Sequence, residues 1–319
     1  MALTPPLSPT AVLAQVAQAL PASCRANVII IGSLAAGYHF FAGDPHKAVR
    51  TKDVDCMFSP HAKAVAAARE VTEELLRAQW TPQPDTAWSK PGGPGQPPQD
   101  LPLVRLCPPA SAEPSEWFIE LLGAPDTSVD PLPGRRFEAI ETRQGHYALC
   151  SFAFLALAEW QPIQTALGIR IARPEMMALA NLLHHPAIGP EVMSGHQFGR
   201  PIKRSNKDLG RALALAHLTT TRDRAHGTEE LEMWPTNMAH ALAEKFPRHA
   251  VELSARAGNG IRELLDSGAD LDEALRTCNL GLLASMDIGI EALRATGRRL
   301  IAEVIEPLAD HHPPPLKQS

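Results

Sequence analysis

The chain has 319 residues, 45% of them hydrophobic and 20% charged, which suits a globular protein with a real core and one large domain or two ordinary ones. A formal net charge of -5 excludes nucleic-acid binding by bulk electrostatics, while leaving room for a local basic patch. Aromatic residues at 5%, two of them Tyr, speak against stacking platforms for single strands, and no apolar run is long enough to span a bilayer.

No basic stretch followed by an apolar core opens the chain, so no signal peptide is expected. The five cysteines are Cys24, Cys56, Cys107, Cys150 and Cys278. Their number is odd and none are at CxxC spacing. Free, mostly buried thiols in a reducing cytoplasm are the expectation.

Residues 10–20 read as a short amphipathic helix, and residues 27–31 as a buried, β-branched strand. Residues 34–41 are predicted helical, directly after Gly32-Ser33. Residues 53–58 form a second predicted strand. Residues 60–79 form a strong helix with Ser59 as its N-cap. Residues 81–100 are rich in Pro and Gly and read as a loop without regular structure. Residues 103–107 and 117–122 are predicted strands joined by a Pro-containing turn. From about residue 147 helical patterns dominate. A helix opens at Pro174 and runs to about His184, another covers 206–218, and several more fill 228–308 before a frayed tail. No internal repeat is present. The predicted organisation is an α/β part over 1–150, a helical extension over 151–225 that completes the site, and a helical region over 226–319 without a readable role.

The chemistry concentrates in "IIIGSLAAGYHF" and "RTKDVDCMF". In a strand, side chains alternate faces, so Asp53 and Asp55 point the same way, about 7 Å apart at Cα. Val54 and Cys56 point to the packed face. Two carboxylates this close repel each other unless a divalent cation sits between them. Magnesium suits such a pair, because it takes one or two carboxylates and completes its shell with waters and substrate phosphates. Gly32-Ser33 supplies the other half. A glycine after a buried strand allows close backbone approach, and the N–H groups of the following helix suit an anionic phosphate. The Ser33 hydroxyl adds a donor. A DxD alone also describes a strand running into a solvated edge. Strand, Gly-Ser, helix and then a DxD strand is a far more specific combination.

These residues resemble the signature of the nucleotidyltransferase superfamily, the polymerase-β-like fold. The resemblance implies an α/β (α+β) core with a mixed sheet and a third carboxylate on a later strand. Glu120 in "WFIELL" is the best match, with Asp100 and Glu116 as weaker substitutes. A second stretch, "IARPEMMALANLLHHP" with "GRPIKRSNKDLGRALALAHL", is similar to a segment of minimal bacterial nucleotidyltransferases, which include toxins of abortive-infection type. That likeness places Arg204 and Lys207 toward a triphosphate and has Asp208 orient the basic groups. Arg200, Lys203, Arg204, Lys207 and Arg211 make the one basic cluster of an acidic chain; a solvated helix face is the plainer reading of it. The resemblance covers roughly residues 25–218. Two features depart from the pattern. Nineteen residues separate Ser33 from Asp53, and Asn181 stands about where the family often has Lys.

Other motifs carry less. His184, His185, His196 and His217 lack metal-site spacing. GxSxG and GxxxxGK[ST] are absent, and "GGPG" is spacer. His39 reads as a packed helix residue that lies near enough to Ser33 to reach the site. Lys52, after Arg50 and Thr51, is placed either to contact phosphate or to balance the carboxylates.

The resemblance therefore implies a magnesium- (or manganese-) dependent transfer of a nucleoside monophosphate from an NTP to an acceptor hydroxyl, with release of pyrophosphate. Asp53, Asp55 and Glu120 would be catalytic and hold the metal. Gly32, Ser33, Lys52, Arg204 and Lys207 would hold the nucleotide. The acceptor is left open among tRNA, protein and small molecule, and an antitoxin partner is implied if the enzyme is a toxin. The alternative is a catalytically degenerate fold used for nucleotide binding or protein interaction.

Overall fold

The computed structural model describes residues 6–44, 46–84, 89–109, 117–126, 134–186, 188, 194–197 and 200–310. The chain divides into two compact units, Thr4–Ala172 and Arg173–Ser319.

The first unit is α/β. Its elements are α1 (Pro9–Ala19), α2 (Ala22–Arg25), β1 (Val28–Ile31), α3 (Gly32–Phe41), β2 (Asp53–Phe58), α4 (His61–Arg77), β3 (Thr81–Pro82), β4 (Arg105–Cys107), β5 (Phe118–Gly123), β6 (Arg135–Thr142), β7 (Gly145–Phe152), β8 (Ile163–Gln164) and β9 (Arg170–Ile171). Pro9 at the first helical position and the Ser8 hydroxyl, which accepts from the Ala11 N–H at 3.4 Å, start α1. Among the described residues the sheet is nine-stranded and mixed, with order β3-β4-β5-β2-β1-β9-β8, while β7 pairs with both β5 and β6. Strand β2 is central. It runs antiparallel to β1 and parallel to β5. Strands covered on both faces read as continuous apolar runs. Val28, Ile29, Ile30, Val54, Cys56, Met57 and Phe58 are all fully buried, and in β2 only Asp53 and Asp55 break the run. Helix α4 packs on β2, β5 and β6, and α1 packs on α3.

Four expectations change. The helix after β2 starts at His61 with Pro60 at the cap, and Ser59 instead donates its hydroxyl to Glu159 Oε1 at 2.6 Å. The Pro/Gly-rich stretch is not wholly irregular. It holds β3, a single 3-10 turn over Pro98–Asp100, and a bridge in which Gly92 and His146 exchange backbone hydrogen bonds of 2.8 and 3.0 Å. The segment linking the two predicted strands at 103–107 and 117–122 lies partly outside the described residues, but β4 and β5 do pair antiparallel. The largest change is the hairpin β6–β7, with Thr142 opposite Gly145, where a helical region was expected from about 147. Strand β9 then joins the sheet parallel to β1, so the α/β unit extends to Ala172 rather than ending near 150.

The second unit is helical. It contains α5 (Pro174–Leu183), a strand pair β10 (Ser194–Gln197) and β11 (Arg200–Lys203), α6 (Arg204–His226), α7 (Glu230–Lys245), α8 (Ala250–Arg256), α9 (Asn259–Asp266), α10 (Gly268–Leu280), α11 (Ile290–Leu300), a π-helical turn Ile301–Ile305 and α12 (Glu306–Asp310). Helix α6 is its spine and packs on α5, α7, α9, α10 and α11. Its core face carries Leu209, Ala212, Leu213 and Ala216. Gly210 lets α10 come close enough for the Cys278 Sγ to lie 3.0 Å from the Gly210 carbonyl. Asp223 accepts from the Glu230 and Leu231 N–H groups at 2.9 and 3.0 Å and so caps α7 from a distance. Free thiols are buried at Cys24, Cys56, Cys150 and Cys278 and half-buried at Cys107, as expected. Among the described residues no helix is long and apolar enough to cross a membrane.

Part of the basic cluster is spent inside this unit. Lys203 Nζ donates to Asp270 Oδ1 at 2.8 Å, and Asn206 Nδ2 reaches the same oxygen at 2.8 Å. Lys203 and then Asn206 hold the Asp270 carboxyl down at about 2. A depressed acid stabilises the fold above its unfolded pKa, and the contribution disappears as pH falls through about 2. Lys203 is 59% exposed, so solvent screening applies. Asp270→Asn should cost about 1 kcal/mol at neutral pH, and the difference from wild type should vanish by about pH 2. Urea melts at pH 7 and in acid check it; a cost that is constant with pH would refute the ion-pair account.

Candidate functional site

Strand β1 ends at Ile31, which lies opposite Asp55. Gly32 then turns the chain into α3 with φ +76°, a conformation that costs an L-residue roughly 1–2 kcal/mol. A Cβ on Gly32 would lie 2.6 Å from Asp55 Oδ2. Glycine is thus required twice, for the backbone and for the carboxylate. The N-cap residue Ile31 offers α3 no side-chain hydrogen bond, and the Asp55 carboxylate lies against Gly32 at the start of the helix. The positive end of the helix favours negative charge there. Ser33 is half-buried in the first turn.

Asp53 and Asp55 are both half-buried on one face of β2, as the alternation predicts. Thr51 donates its hydroxyl to Asp53 Oδ1 at 2.6 Å. Lys52 is exposed, and its carbonyl accepts from the Phe118 N–H at 2.9 Å.

Glu120 lies in register with Asp55 across the β2–β5 pair. Neighbouring strands are about 4.8 Å apart, so the two carboxylates start as cross-strand neighbours. On its other side Glu120 lies opposite Arg105 of β4. Arg105 Nη2 and Glu120 Oε2 are 2.7 Å apart, with 24% and 13% of the side chains exposed. The Arg105 guanidinium also lies 5.4 Å from the centre of the Phe118 ring. Burial pushes the Glu120 carboxyl above its usual range, Arg105 opposes this, and the negative charge of Asp53 adds to it. A row of Ile31, Asp55, Glu120 and Arg105 therefore crosses four strands at one level.

Gly32, Ser33, Lys52, Asp53, Asp55 and Glu120 all belong to the α/β unit. Arg204 and Lys207 belong to the helical unit, in the first turn of α6, where Arg204 Nε lies 3.6 Å from Asp208 Oδ2. Asn181, on α5, donates to the Met177 carbonyl at 2.8 Å. The weaker carboxylate Asp100 is exposed in its 3-10 turn, and Glu116 lies outside the described residues. His185 is buried with Nε2 3.9 Å from Glu263, and His217 Nδ1 is 3.3 Å from the Thr296 hydroxyl. The side chain of His196 is outside the described residues. His39 makes an edge contact with Phe40, ring centres 4.7 Å apart.

Among the described residues no three side chains of His, Cys, Asp and Glu gather closely enough to hold a metal ion. The pair Asp53 and Asp55, half-buried on one face of β2 with the Asp55 carboxylate drawn close against Gly32, fits a magnesium ion held by two carboxylates. Glu120, in register beside Asp55, is engaged through Oε2 by Arg105. No protein-family model, curated protein or solved structure matches this chain.

Sequence reasoning missed Arg105 and gave Thr51 no role. Thr51 was visible beside the DxD. Nothing in the sequence sets Arg105 apart from other strand arginines, since its role comes from strand order.

Gly32→Ala tests the turn. The strained φ should cost about 1–2 kcal/mol, and the Asp55 carboxylate should swing away from its place. A melting temperature lower by a few degrees, with weaker divalent-cation binding, is expected. Unchanged values for both would show that Gly32 is not constrained.

Proposed function

We propose that the protein is a magnesium-dependent nucleotidyltransferase, which moves a nucleoside monophosphate from an NTP to an acceptor hydroxyl and releases pyrophosphate. One observation carries the reading: Asp53 and Asp55 share a face of β2, with Glu120 in register beside Asp55 and the Gly32 turn against the Asp55 carboxylate. In this reading Asp53 and Asp55 hold the cation, and Glu120 is the third ligand or the base for the acceptor hydroxyl. When bound, magnesium would neutralise phosphate charge and favour an ionised acceptor oxygen. The N–H groups at the start of α3 and the Ser33 hydroxyl bind the triphosphate. Lys52, just before the DxD strand and exposed, offsets part of its charge. The acceptor is a tRNA, a protein or a small molecule, and an antitoxin is the partner if the activity is toxic.

The Arg105–Glu120 pair favours a second reading, a degenerate nucleotide-binding or interaction module, because it occupies the third carboxylate. Calorimetric titration of ATP, GTP, CTP and UTP with magnesium separates the two, followed by a labelled-NTP search for the acceptor. Magnesium-dependent binding of one NTP followed by transfer supports the enzyme. Binding without transfer supports the module, and no binding sinks both nucleotide readings.

A further inference from the structure

We propose that Arg105 is a positioning residue that competes with a divalent cation for Glu120, so that the carboxylate face is held in a two-ligand state until Arg105 lets go. The inference rests on the cation-binding reading above and deepens it.

Sheet register places the pair. Arg105 and Glu120 face each other on antiparallel β4 and β5, and Glu120 faces Asp55 on the other side. The guanidinium therefore lies at the far end of the carboxylate row. Its 2.7 Å contact is a charge-assisted hydrogen bond between two largely buried side chains. Phe118, two residues before Glu120 on the same face, lies under the guanidinium and limits where it can go. A divalent cation bridging Asp55 and Glu120 would face this fixed positive charge across one carboxylate, where like charges repel strongly in half-buried surroundings. Arginine cannot relieve that repulsion by losing its proton. It must swing off Glu120 or exclude the cation from it.

The test is manganese binding, followed by calorimetry on the full chain without nucleotide. Arg105→Met keeps the length and removes the charge. It should bind manganese at least about tenfold more tightly than wild type, the value of one charge-assisted hydrogen bond. Arg105→Lys, which keeps a cation there, should return the affinity toward wild type. Adding Glu120→Gln to Arg105→Met should remove the gain, because the gain runs through Glu120. Arg105→Gln replaces the Met variant if that one does not fold, with the same expectation. A folded neutral variant that binds manganese no more tightly than wild type overturns the competition while leaving the cation site standing. Absence of manganese binding in wild type and neutral variant alike overturns both the competition and the cation reading beneath it.

Discussion

Asp53→Asn/Asp55→Asn should lose magnesium-dependent NTP binding and lower nucleotidyl transfer at least about a thousandfold, with a melting temperature no lower than that of wild type. The two halves of this result have one cause. The carboxylates share a face with Glu120, whose own carboxyl is pushed up by burial and by the charge of Asp53. Removing that charge relieves repulsion on Glu120, which offsets the favourable charge that Asp55 loses at the positive end of α3. The Asn amide oxygen can still accept from Thr51, so the local turn survives. Cation binding, by contrast, depends on the charge itself. Transfer at the wild-type rate in the double variant would sink the mechanism. A large fall in melting temperature would show instead that the pair is structural.

Ile30→Ala should cost about 2–5 kcal/mol, a large share of the 5–15 kcal/mol typical of a domain. Ile30 is fully buried in β1, opposite Cys56 on one side and Ile171 on the other, and its carbonyl accepts from the Ala172 N–H at 2.9 Å. With strands on both sides the site cannot collapse to fill the cavity. Ile30→Val should cost only about 1 kcal/mol. A urea midpoint that falls with unchanged slope is the expected signature. A cost near that of Val for the Ala variant would mean that β1 is not a central strand. Gly32 directly follows the strand, so the larger cavity should loosen the approach of Gly32 to Asp55 and weaken cation binding as well.

The segment from β1 through α3 to β2 was legible in the sequence. Its signals are local: a β-branched run, a glycine that must turn, and an alternation that puts Asp53 and Asp55 on one face. Glu120 was legible as a carboxylate in a strand, since apolar neighbours flank it on both sides. The hairpin β6–β7 was not. In β6 only Ile140 is buried, its two-residue turn of Arg143-Gln144 lacks the usual glycine signature, and the apolar run of β7 reads as well for a helix. Strand β9, two residues long, has no periodicity to read.

By itself, then, the sequence determined the apolar strands, the turn at Gly32 and the orientation of the aspartates, because each depends on residues close together in the chain. The tertiary structure alone decided that Glu120 stands beside Asp55, and that Arg105 stands on Glu120. Strand partners far apart in sequence are chosen by which apolar faces bury one another and by hydrogen-bond register, and a one-residue slip would turn Glu120 to the other face.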